Sequence, residues 1–486
     1  NKNYQLTSTS FKNNYLSSLP AALIQSLQNL KGFDEEAFKA VHQSGGQITS
    51  VRLNPGKLKI ENSQQGPAEK LKIEGAVPWS SNGYYLQERP SFTLDPLFHA
   101  GAYYVQEASS MFLEEALKQT VDLTKPVKIL DLCAAPGGKS TLIQSLISAD
   151  SLLVSNEVIK TRVNILAENM TKWGAANVIV TNNDPKDFQR LQNYFDVIVV
   201  DAPCSGSGLF RKDPNAIKEW SENNVSLCAQ RQQRIIADII PSLKDGGVLI
   251  YSTCSYSKAE DEEIEDWLTG ELKVESVQLK VEESWGIVET ISDKSGSFGY
   301  RFYPDKVKGE GFFVAAFKKP ESLVAITEGK SHPSATLRKK VKNKQVFTVN
   351  EIEAVKPFLV NADSYFFIKQ HEAVIAMPLY LENDLTIIQS ALYIKKAGVR
   401  LGTIIRNELI PAHDLAVSNI INPSIPKLDV DTETALQYLR KVDITIESVI
   451  KGWVLVTHQD LPIGWIKILA NRANNYYPAA WRILNK

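Results

Sequence analysis

Two cysteines lie in short segments that are suited to covalent chemistry. Cys254 follows an apolar run in "VLIYSTCSYS", and Cys204 lies in "DAPCSGSG", close behind Asp201. A single cysteine at the end of an apolar run is most often a small buried side chain. A thiolate is also a strong nucleophile, and a second thiol and a carboxyl group beside it could assist a covalent reaction.

A glycine-rich turn, "DLCAAPGGKS" (131–140), precedes a predicted helix. Pro136, Gly137 and Gly138 let backbone N–H groups approach a ligand, and the start of the helix favours negative charge. The spacing is neither GxGxxG nor that of a Walker loop, so neither a dinucleotide nor a triphosphate is favoured. The turn alone is weak evidence for a ligand site.

Two acids follow at positions where a nucleoside could be bound. Glu157 lies twenty residues after Gly137, where doubly wound folds hold the ribose hydroxyls, and Asp184 could accept from an adenine amino group. Each acid taken alone could equally be a turn residue or a helix cap. Together with the turn, they predict an adenosine site without a phosphate cradle. This combination favours S-adenosylmethionine, whose carboxylate would meet the Gly137–Gly138 turn.

A methyl donor, a thiol and an acid together indicate a pyrimidine as the methyl acceptor. Carbon 5 of a pyrimidine is a poor nucleophile, but addition of the Cys254 thiolate to carbon 6 would activate it. Asp201 could hydrogen-bond the ring edge and stabilise the developing charge, and a second thiol could assist product release. Ser257 and Glu260 have the spacing of a capping box, which predicts a helix start that would favour a thiolate at Cys254.

These residues follow a series of short apolar segments that are typical of buried strands. The segments are 127–133, 151–157, 176–184, 195–203 and 246–254, and helical patterns separate them. Strands buried on both faces and alternating with helices predict a parallel, doubly wound sheet. Because the carboxyl ends of parallel strands meet at one edge, Asp201, Cys204 and Cys254 should line one crevice. Segments 271–279 and 301–319 are predicted to close the sheet, with an antiparallel last pair.

The composition is that of a soluble globular protein with several domains. The chain has 486 residues, of which 43% are hydrophobic and 22% charged, and its formal net charge is −1. This length predicts about three domains, and the charge balance means that nucleic acid would have to bind through local basic patches. Candidates are Arg211, Lys212 and the run "LRKKVKNK" at 337–344, although such a run is at least as often a solvated linker.

The cysteine pattern and the hydropathy indicate the class of protein and its cellular compartment. Four cysteines without CxxC spacing fit neither a disulfide framework nor a zinc site, so no metal is expected. No apolar run approaches the roughly 18 residues that cross a membrane. These features predict free thiols and a cytoplasmic protein without membrane association, and we expect a monomer.

The motifs taken together resemble a known enzyme family. "GAYYVQEASSM", "DLCAAPGGKS", "DAPCSGSG", "YSTCSYS" and "RFYPDKVKGEGFF" resemble successive signature motifs of the Sun/nucleolar-protein family of RNA cytosine-5 methyltransferases, over about residues 100–318. The resemblance implies a Rossmann-like catalytic domain in which Cys254 is the nucleophile and Cys204 assists release, while Cys228 is structural. It also implies these contacts to S-adenosylmethionine: Cys133, Ala134, Ala135, Pro136, Gly137, Gly138, Lys139, Glu157, Asp184 and Asp201.

The flanking segments resemble RNA-binding modules. "VRLNPGK" is similar to the family's N-terminal α/β module, and "GWVLVTHQDLPIGWIKILANRANNYYPAAWRI" is similar to the β-rich, PUA-like last module of a bacterial branch. We expect four parts: an N-terminal RNA-binding module (1–120), an α/β catalytic domain (121–319), a linker with a small middle module (320–395) and a PUA-like module (396–486). This branch implies small-subunit (16S) ribosomal RNA, free or in the 30S subunit, as the partner.

Three other interpretations fit part of the sequence. Related branches share these motifs and act on transfer RNA. DNA cytosine methyltransferases use a proline–cysteine motif, which would make Cys204 the nucleophile, although the "TCS" loop and the RNA-type modules favour Cys254. A catalytically silent RNA-binding assembly factor is the third, and the presence of both thiols argues against it.

Overall fold

The computed structural model describes residues 19–58, 71–321, 347–442, 444, 450–470 and 472–484. The basic run predicted at 337–344 lies outside the described residues. Within the described part of the chain, no helix is long and apolar enough to cross a lipid bilayer.

Residues 19–108 form an N-terminal α/β module. Its elements are α1 (Ala21–Leu27), α2 (Glu35–Gln43), β1 (Thr49–Leu53), β2 (Ile73–Ala76), β3 (Gly83–Leu86), α3 (Pro96–His99) and β4 (Tyr103–Val105). The strands form an antiparallel sheet in the order β2-β3-β1-β4. Asp34 caps α2 by accepting from the Ala37 N–H group, and Asp95 caps α3, which Pro96 begins. These caps fix where the chain enters the two helices.

The buried side chain of Arg52, on β1, joins this module to the central domain. Its guanidinium donates to the Gln106 side chain at 2.9 Å and to the Thr141 hydroxyl at 2.5 Å. Burial lowers the pKa of Arg52 to about 9, so the side chain still carries its charge at neutral pH. Because Thr141 belongs to the helix behind the glycine-rich turn, Arg52 ties β1 to that turn.

The central domain is built on a parallel sheet that an antiparallel segment extends. Its elements are α4 (Leu113–Thr120), β5 (Lys128–Asp131), α5 (Gly138–Leu146), β6 (Leu152–Asn156), α6 (Lys160–Trp173), β7 (Val178–Thr181), β8 (Phe195–Asp201), α7 (Pro214–Glu219), α8 (Glu222–Ile239), β9 (Leu243–Thr253), α9 (Glu262–Glu271), β10 (Glu275–Val277), β11 (Val288–Ile291), β12 (Phe298–Phe302) and β13 (Phe312–Lys318). Strands β9-β8-β5-β6-β7 are parallel neighbours, and β13, β12 and β11 continue the sheet antiparallel beyond β9. The predicted doubly wound α/β fold is confirmed.

Both faces of this sheet are buried, which explains why its strands are almost wholly apolar. Ile129 and Val197 pack into one hydrophobic core with α4 and α5, while their neighbours Leu130 and Ile198 pack into a second core with α8. Successive strand residues point to opposite faces, so each strand contributes to both cores. The helices cover the two faces and leave the carboxyl ends of the strands free for a site.

A middle module follows and reaches back to the central sheet. Its elements are α10 (Val349–Val355), β14 (Tyr365–Gln370), β15 (Ala373–Pro378), α11 (Glu382–Ala391), β16 (Ile394–Ala397), β17 (Val399–Ile405), β18 (Glu408–Pro411) and α12 (His413–Ala416). The boundary predicted between residues 395 and 396 divides this module, because β17 pairs with β15 in the sheet β14-β15-β17-β18. Strand β16 instead pairs antiparallel with β7 and is the tenth strand of the central sheet.

The last module is rich in β-structure, as predicted. Its elements are β19 (Lys427–Asp429), α13 (Thr432–Leu439), β20 (Gly452–His458), β21 (Leu461–Ile468) and β22 (Ala473–Asn475), and the strands pair in the order β19-β20-β21-β22. The buried Tyr438 hydroxyl donates to the Trp465 carbonyl at 3.0 Å. The Trp465 indole N–H group donates to the Ala412 carbonyl at 2.9 Å, which fastens this module to the middle one.

Candidate active site

The sulphur atoms of Cys204 and Cys254 lie 3.0 Å apart at the carboxyl ends of β8 and β9. These strands are parallel and directly paired, so the two loops leave the sheet side by side. The Gly208 N–H group donates to the Cys254 carbonyl at 2.8 Å. A Cβ atom at Gly208 would come within 2.4 Å of the Gly311 carbonyl oxygen, so glycine is required where the loops meet.

The environment of Cys204 favours its neutral form. Its bond to the Cys254 side chain, followed by burial, raises the pKa of the Cys204 thiol well above its usual range. Cys204 therefore keeps its proton at neutral pH and can donate it to the neighbouring sulphur.

Asp201 lies at the end of β8 and is held by two side chains. The Lys139 Nζ atom lies 2.7 Å from one carboxylate oxygen, and the Ser252 hydroxyl donates to the other at 2.9 Å. Burial alone would lower the pKa of Lys139, but the Asp201 carboxylate outweighs it and the pKa is raised. The Asp201 side chain is 35% exposed, so its carboxylate can still accept a hydrogen bond from a ligand.

The glycine-rich turn leads directly into α5. Gly137 has a φ of +117°, a conformation that is strained for residues with a side chain, and α5 begins at the next residue. The N–H groups of residues 138–140 belong to the first turn, so they have no carbonyl partner within the helix. They can bind a carboxylate group.

Asp131 lies at the end of β5 and is fully buried. One carboxyl oxygen accepts from the Ser140 hydroxyl at 2.6 Å, while the other has no hydrogen-bond partner among the described residues. Burial raises the pKa of Asp131 to about 7, although the bond from Ser140 opposes the shift. A buried oxygen without a partner is costly, so it marks a position where a ligand could donate a hydrogen bond.

Glu157 follows β6 and is almost completely buried. Its Oε1 atom accepts from the Ile159 N–H group at 2.8 Å, and its Oε2 atom lies 3.4 Å from the Arg162 guanidinium. Arg162 also donates to the Ala135 carbonyl at 2.6 Å and so links Glu157 to the glycine-rich turn. The neighbouring Val158 side chain is 53% exposed and offers an apolar surface beside the acid.

Asp184 lies three residues beyond the end of β7, whereas the sequence placed it at the strand end. Its carboxylate accepts from the Lys186 N–H group at 3.2 Å and caps a short 3-10 helix, Pro185–Arg190. The Asp184 side chain is only partly buried, so it remains accessible to a ligand amino group. The Asn183 side chain beside it exchanges two hydrogen bonds with the Tyr393 backbone of the middle module.

The loop after Cys254 differs from the predicted helix start. Helix α9 begins at Glu262, and a short 3-10 helix, Lys258–Glu260, precedes it. The Ser257 hydroxyl has no partner among the described residues, and the Glu260 carboxylate binds Ser205 and Ser255, so the capping box is absent there. Buried donors on the cysteine loops compete successfully for the carboxylate. The predicted capping box is therefore wrong, and the α-helix begins eight residues after Cys254.

The next two acids hold the same loop. The Thr253 hydroxyl donates to Asp261 at 2.8 Å, and the Arg301 Nε–H group donates to Glu262 at 2.7 Å. Arg301 also donates to the Tyr256 carbonyl at 2.9 Å. Burial opposes the charge of Arg301, but Glu262 and Asp261 outweigh it and raise its pKa. Consecutive acids thus fix the backbone on both sides of Cys254.

The other residues singled out by the sequence lie apart from this arrangement. The Arg211 side chain is 6% exposed and donates to the Gly46 and Gly309 carbonyls at 2.6 and 3.2 Å, so it is held by protein groups, whereas Lys212 is exposed. Cys228 is buried within α8. Across the described ranges, no group of three or more His, Cys, Asp or Glu residues could hold a metal ion.

Known protein families match this chain module by module. Residues 19–108 match the N-terminal domain of 16S rRNA methyltransferase RsmF, residues 118–318 match 16S rRNA methyltransferase RsmB/F, and residues 425–483 match the methyltransferase RsmF PUA domain. The ribosomal RNA small subunit methyltransferase F of Aliivibrio fischeri (strain MJ11) is 30% identical over 437 residues, which cover 88% of this chain and 90% of that protein. The chain belongs to the ribosomal RNA small subunit methyltransferase F family.

Further relatives support membership of the methyltransferase F family and its fold. The protein of the same name from Shewanella loihica (strain ATCC BAA-1088 / PV-4) is 30% identical over 415 residues, covering 83% of this chain and 82% of its own. A methyltransferase homolog from Pyrococcus horikoshii has a solved structure with a TM-score of 0.50 and 26% identity, covering 62% of this chain and 100% of its own. NSun6 from Pyrococcus horikoshii, at 20% identity and a TM-score of 0.52 over 63% of this chain and 99% of its own, supports the fold alone.

Three site residues of this methyltransferase F family member were not found by sequence reasoning. Glu260 was assigned to a helix cap, Arg162 to a helical pattern and Asp131 to the start of the turn. The acidic run 260–263 lies shortly after the "TCS" loop and was a usable signal. A charge run is normally solvated, but three of these four residues are buried. Arg162 had no comparable signal, since its partners come from two other elements.

Proposed function

We propose that this protein transfers a methyl group from S-adenosylmethionine to carbon 5 of a cytosine in small-subunit ribosomal RNA. The observation that carries the proposal is the pair of thiols 3.0 Å apart beside an accessible carboxylate, Asp201. Covalent activation of a pyrimidine needs a nucleophile and groups that handle protons, and this crevice holds both. The relatives are named for methylation of small-subunit ribosomal RNA, which supports the choice of substrate.

The residues around the glycine-rich turn fit S-adenosylmethionine. The first-turn N–H groups of α5 suit its carboxylate, Glu157 suits the ribose hydroxyls, and Asp184 suits the adenine amino group. The unpartnered oxygen of Asp131 offers a further acceptor in the same region. The proposed contacts are Cys133, Ala134, Ala135, Pro136, Gly137, Gly138, Lys139, Glu157, Asp184 and Asp201. S-adenosylmethionine would supply an electrophilic methyl group there.

The two thiols have different roles in the covalent reaction. The Cys254 sulphur forms a bond to carbon 6, and the electron pair of the 5,6 double bond moves into the ring, which makes carbon 5 nucleophilic. Asp201, oriented by Lys139 and Ser252, accepts a hydrogen bond from the ring edge. After methylation, water accepts the carbon-5 proton, the carbon–hydrogen pair re-forms the double bond, and the carbon–sulphur pair returns to Cys254, which receives a hydrogen bond from the Cys204 thiol. Cys204 assists this release.

Two substitutions test these roles. Cys254→Ala removes the attacking sulphur, so methylation should fall by at least ~10³-fold and no protein–RNA adduct should form. Cys204→Ala should attack and methylate but release slowly, so a denaturant-resistant complex should accumulate as a slower band on a denaturing gel. Each variant is incubated with S-adenosylmethionine and small-subunit ribosomal RNA, and transfer RNA and duplex DNA serve as comparison substrates.

Each alternative gives a different gel. A DNA methyltransferase that uses Cys204 as nucleophile would trap its adduct in Cys254→Ala and on DNA. A transfer RNA enzyme would trap it on transfer RNA. A silent assembly factor would form no adduct in either variant and would not methylate any of the substrates.

A further inference from the structure

A single buried carboxylate contacts the residue that follows each cysteine. The Glu260 Oε1 atom accepts from the Ser205 N–H group at 2.7 Å, and the Oε2 atom accepts from the Ser205 and Ser255 hydroxyls at 2.5 and 2.6 Å. Ser205 directly follows Cys204, and Ser255 directly follows Cys254. Glu260 is fully buried, so water does not compete for these bonds.

We propose that Glu260 is a positioning residue that holds the two thiols in contact and places a carboxylate next to the Cys204 loop. The inference rests on the proposed function for the roles of the two thiols. It adds to that proposal the group that sets the position of the two thiols. The same group helps to determine which thiol holds the proton and which one is the nucleophile.

The hydrogen-bond directions require an acceptor at Glu260. A backbone N–H group can only donate, so the oxygen facing Ser205 N is an acceptor. The Ser255 hydroxyl already accepts from the Ser257 N–H group at 3.0 Å, which directs its own proton to Glu260. Burial raises the pKa of Glu260, and the hydrogen bonds from Ser205 and Ser255 oppose this shift. An ionised carboxylate satisfies all of these donors, and its bonds to them are of the strong, charge-assisted kind.

The charge of Glu260 acts on the Cys204 thiol. The side chain of Cys254 has the largest effect on Cys204, and burial and the Glu260 charge add to it in raising the pKa of the Cys204 thiol. A protonated Cys204 can donate to the Cys254 sulphur 3.0 Å away. A thiolate that receives this bond is held in one orientation, ready to attack.

The experiment measures the two thiols without RNA. Glu260→Gln keeps the size of the side chain but removes its charge. Glu265→Gln is the control for replacing a buried acid by an amide without loss of charge, since burial raises the pKa of Glu265 to about 9 and its carboxyl oxygens have no hydrogen-bond partner among the described residues. Alkylation of each cysteine by iodoacetamide is followed against pH by peptide mass spectrometry. At pH 8 the rate at Cys204 should rise about three- to tenfold in Glu260→Gln, because loss of a nearby negative charge eases thiol ionisation. Glu265→Gln should match the parent protein.

Turnover supplies the second readout. Methylation by Glu260→Gln should fall about ten- to a hundredfold at unchanged affinity for S-adenosylmethionine, because displaced reacting groups lose orientation. If Glu260→Gln does not fold, Ser255→Ala keeps the charge and removes one tether, and it should slow turnover while leaving Cys204 alkylation unchanged.

Three results would overturn the inference. These are an unchanged Cys204 alkylation curve in folded Glu260→Gln, equal effects in Glu260→Gln and Glu265→Gln, and full turnover in Ser255→Ala. Alkylation needs no RNA, so failure of the proposed methylation is distinguished from failure of the role of Glu260.

Discussion

Glu157 combines burial with one strong contact and one weak contact to protein groups. Its Oε1 atom is bonded to a backbone N–H group, whereas its Oε2 atom has the guanidinium of Arg162 only at 3.4 Å. The Oε2 atom is therefore the one with capacity left for a ligand hydroxyl. The negative charge of Glu157, rather than its size, is what such a hydroxyl would require.

Glu157→Gln should weaken the binding of S-adenosylmethionine by about 1.5–3 kcal/mol, or roughly ten- to 150-fold, through loss of charge-assisted hydrogen bonds. Isothermal titration calorimetry without RNA measures the change. Glu168→Gln, which alters a partly exposed acid of α6 paired with Lys172, should bind like the parent protein. Equal affinities in all three proteins would rule out Glu157 as a ribose ligand.

At the residue scale, the sequence predicted which chemical groups meet but not what holds them. Cys204, Cys254 and Asp201 were expected in one crevice, because each follows an apolar strand of a parallel sheet. The contact between Glu260 and Ser205 joins residues 55 positions apart and depends on how two loops cross. No local pattern encodes such a crossing, and the serine–acid spacing at 257–260 indicated a helix cap instead.

Helix α9 shows the same limit at the scale of an element. The sequence predicted a helix after Cys254 and was right about its presence. Its start is shifted because Asp261, with φ −119° and ψ −98°, lies outside the helical region, so the α-helix begins at Glu262. The acids before and inside this start are used to hold the cysteine loop and the Arg301 side chain rather than to cap the helix.

Glu265, on α9, makes the stability of the folded protein depend on pH. Burial raises the pKa of Glu265 from 4.5 to about 9, and neither carboxyl oxygen has a hydrogen-bond partner among the described residues. Between these values the folded protein keeps the proton and the unfolded chain releases it, so this group lowers stability as pH rises.

Glu265→Gln removes this titration. Between pH 5 and 8, the free energy of unfolding of the variant minus that of the parent protein should increase by about 1 kcal/mol per pH unit. Urea denaturation at several pH values measures the difference. Parallel stability curves for the two proteins would contradict the assignment of a protonated Glu265 in the folded state.

At the scale of the whole molecule, the contacts that join the modules are made by residues next to the candidate site. Arg52 ties the N-terminal module to α5, and the Asn183 side chain ties the loop after β7 to the backbone of Tyr393. The sequence indicated the modules from their composition and strand patterns. It did not indicate that β16 belongs to the central sheet, because an edge strand added from a distant segment looks like any short strand.

Asn183→Ala should reduce the free energy of unfolding by about 1–3 kcal/mol, because the Tyr393 N–H group loses its partner next to a buried strand edge. Chemical denaturation measures the change. Asn164→Ala, at an exposed position of α6, is the control and should stay within about 0.5 kcal/mol of the parent protein. Similar stabilities of the Asn183 and Asn164 variants would show that these bonds do not secure the middle module.

The pairing of β7 with β16 has a consequence for how the protein is made. More than 200 residues separate these strands, so a ribosome adding roughly 5–20 residues per second needs about 10 to 40 s between them. During that interval the nascent sheet has an unpaired edge at β7, of the kind that attracts other extended chains. Completion of the sheet must wait until most of the polypeptide has been synthesised, and the newborn chain is open to misassembly until then.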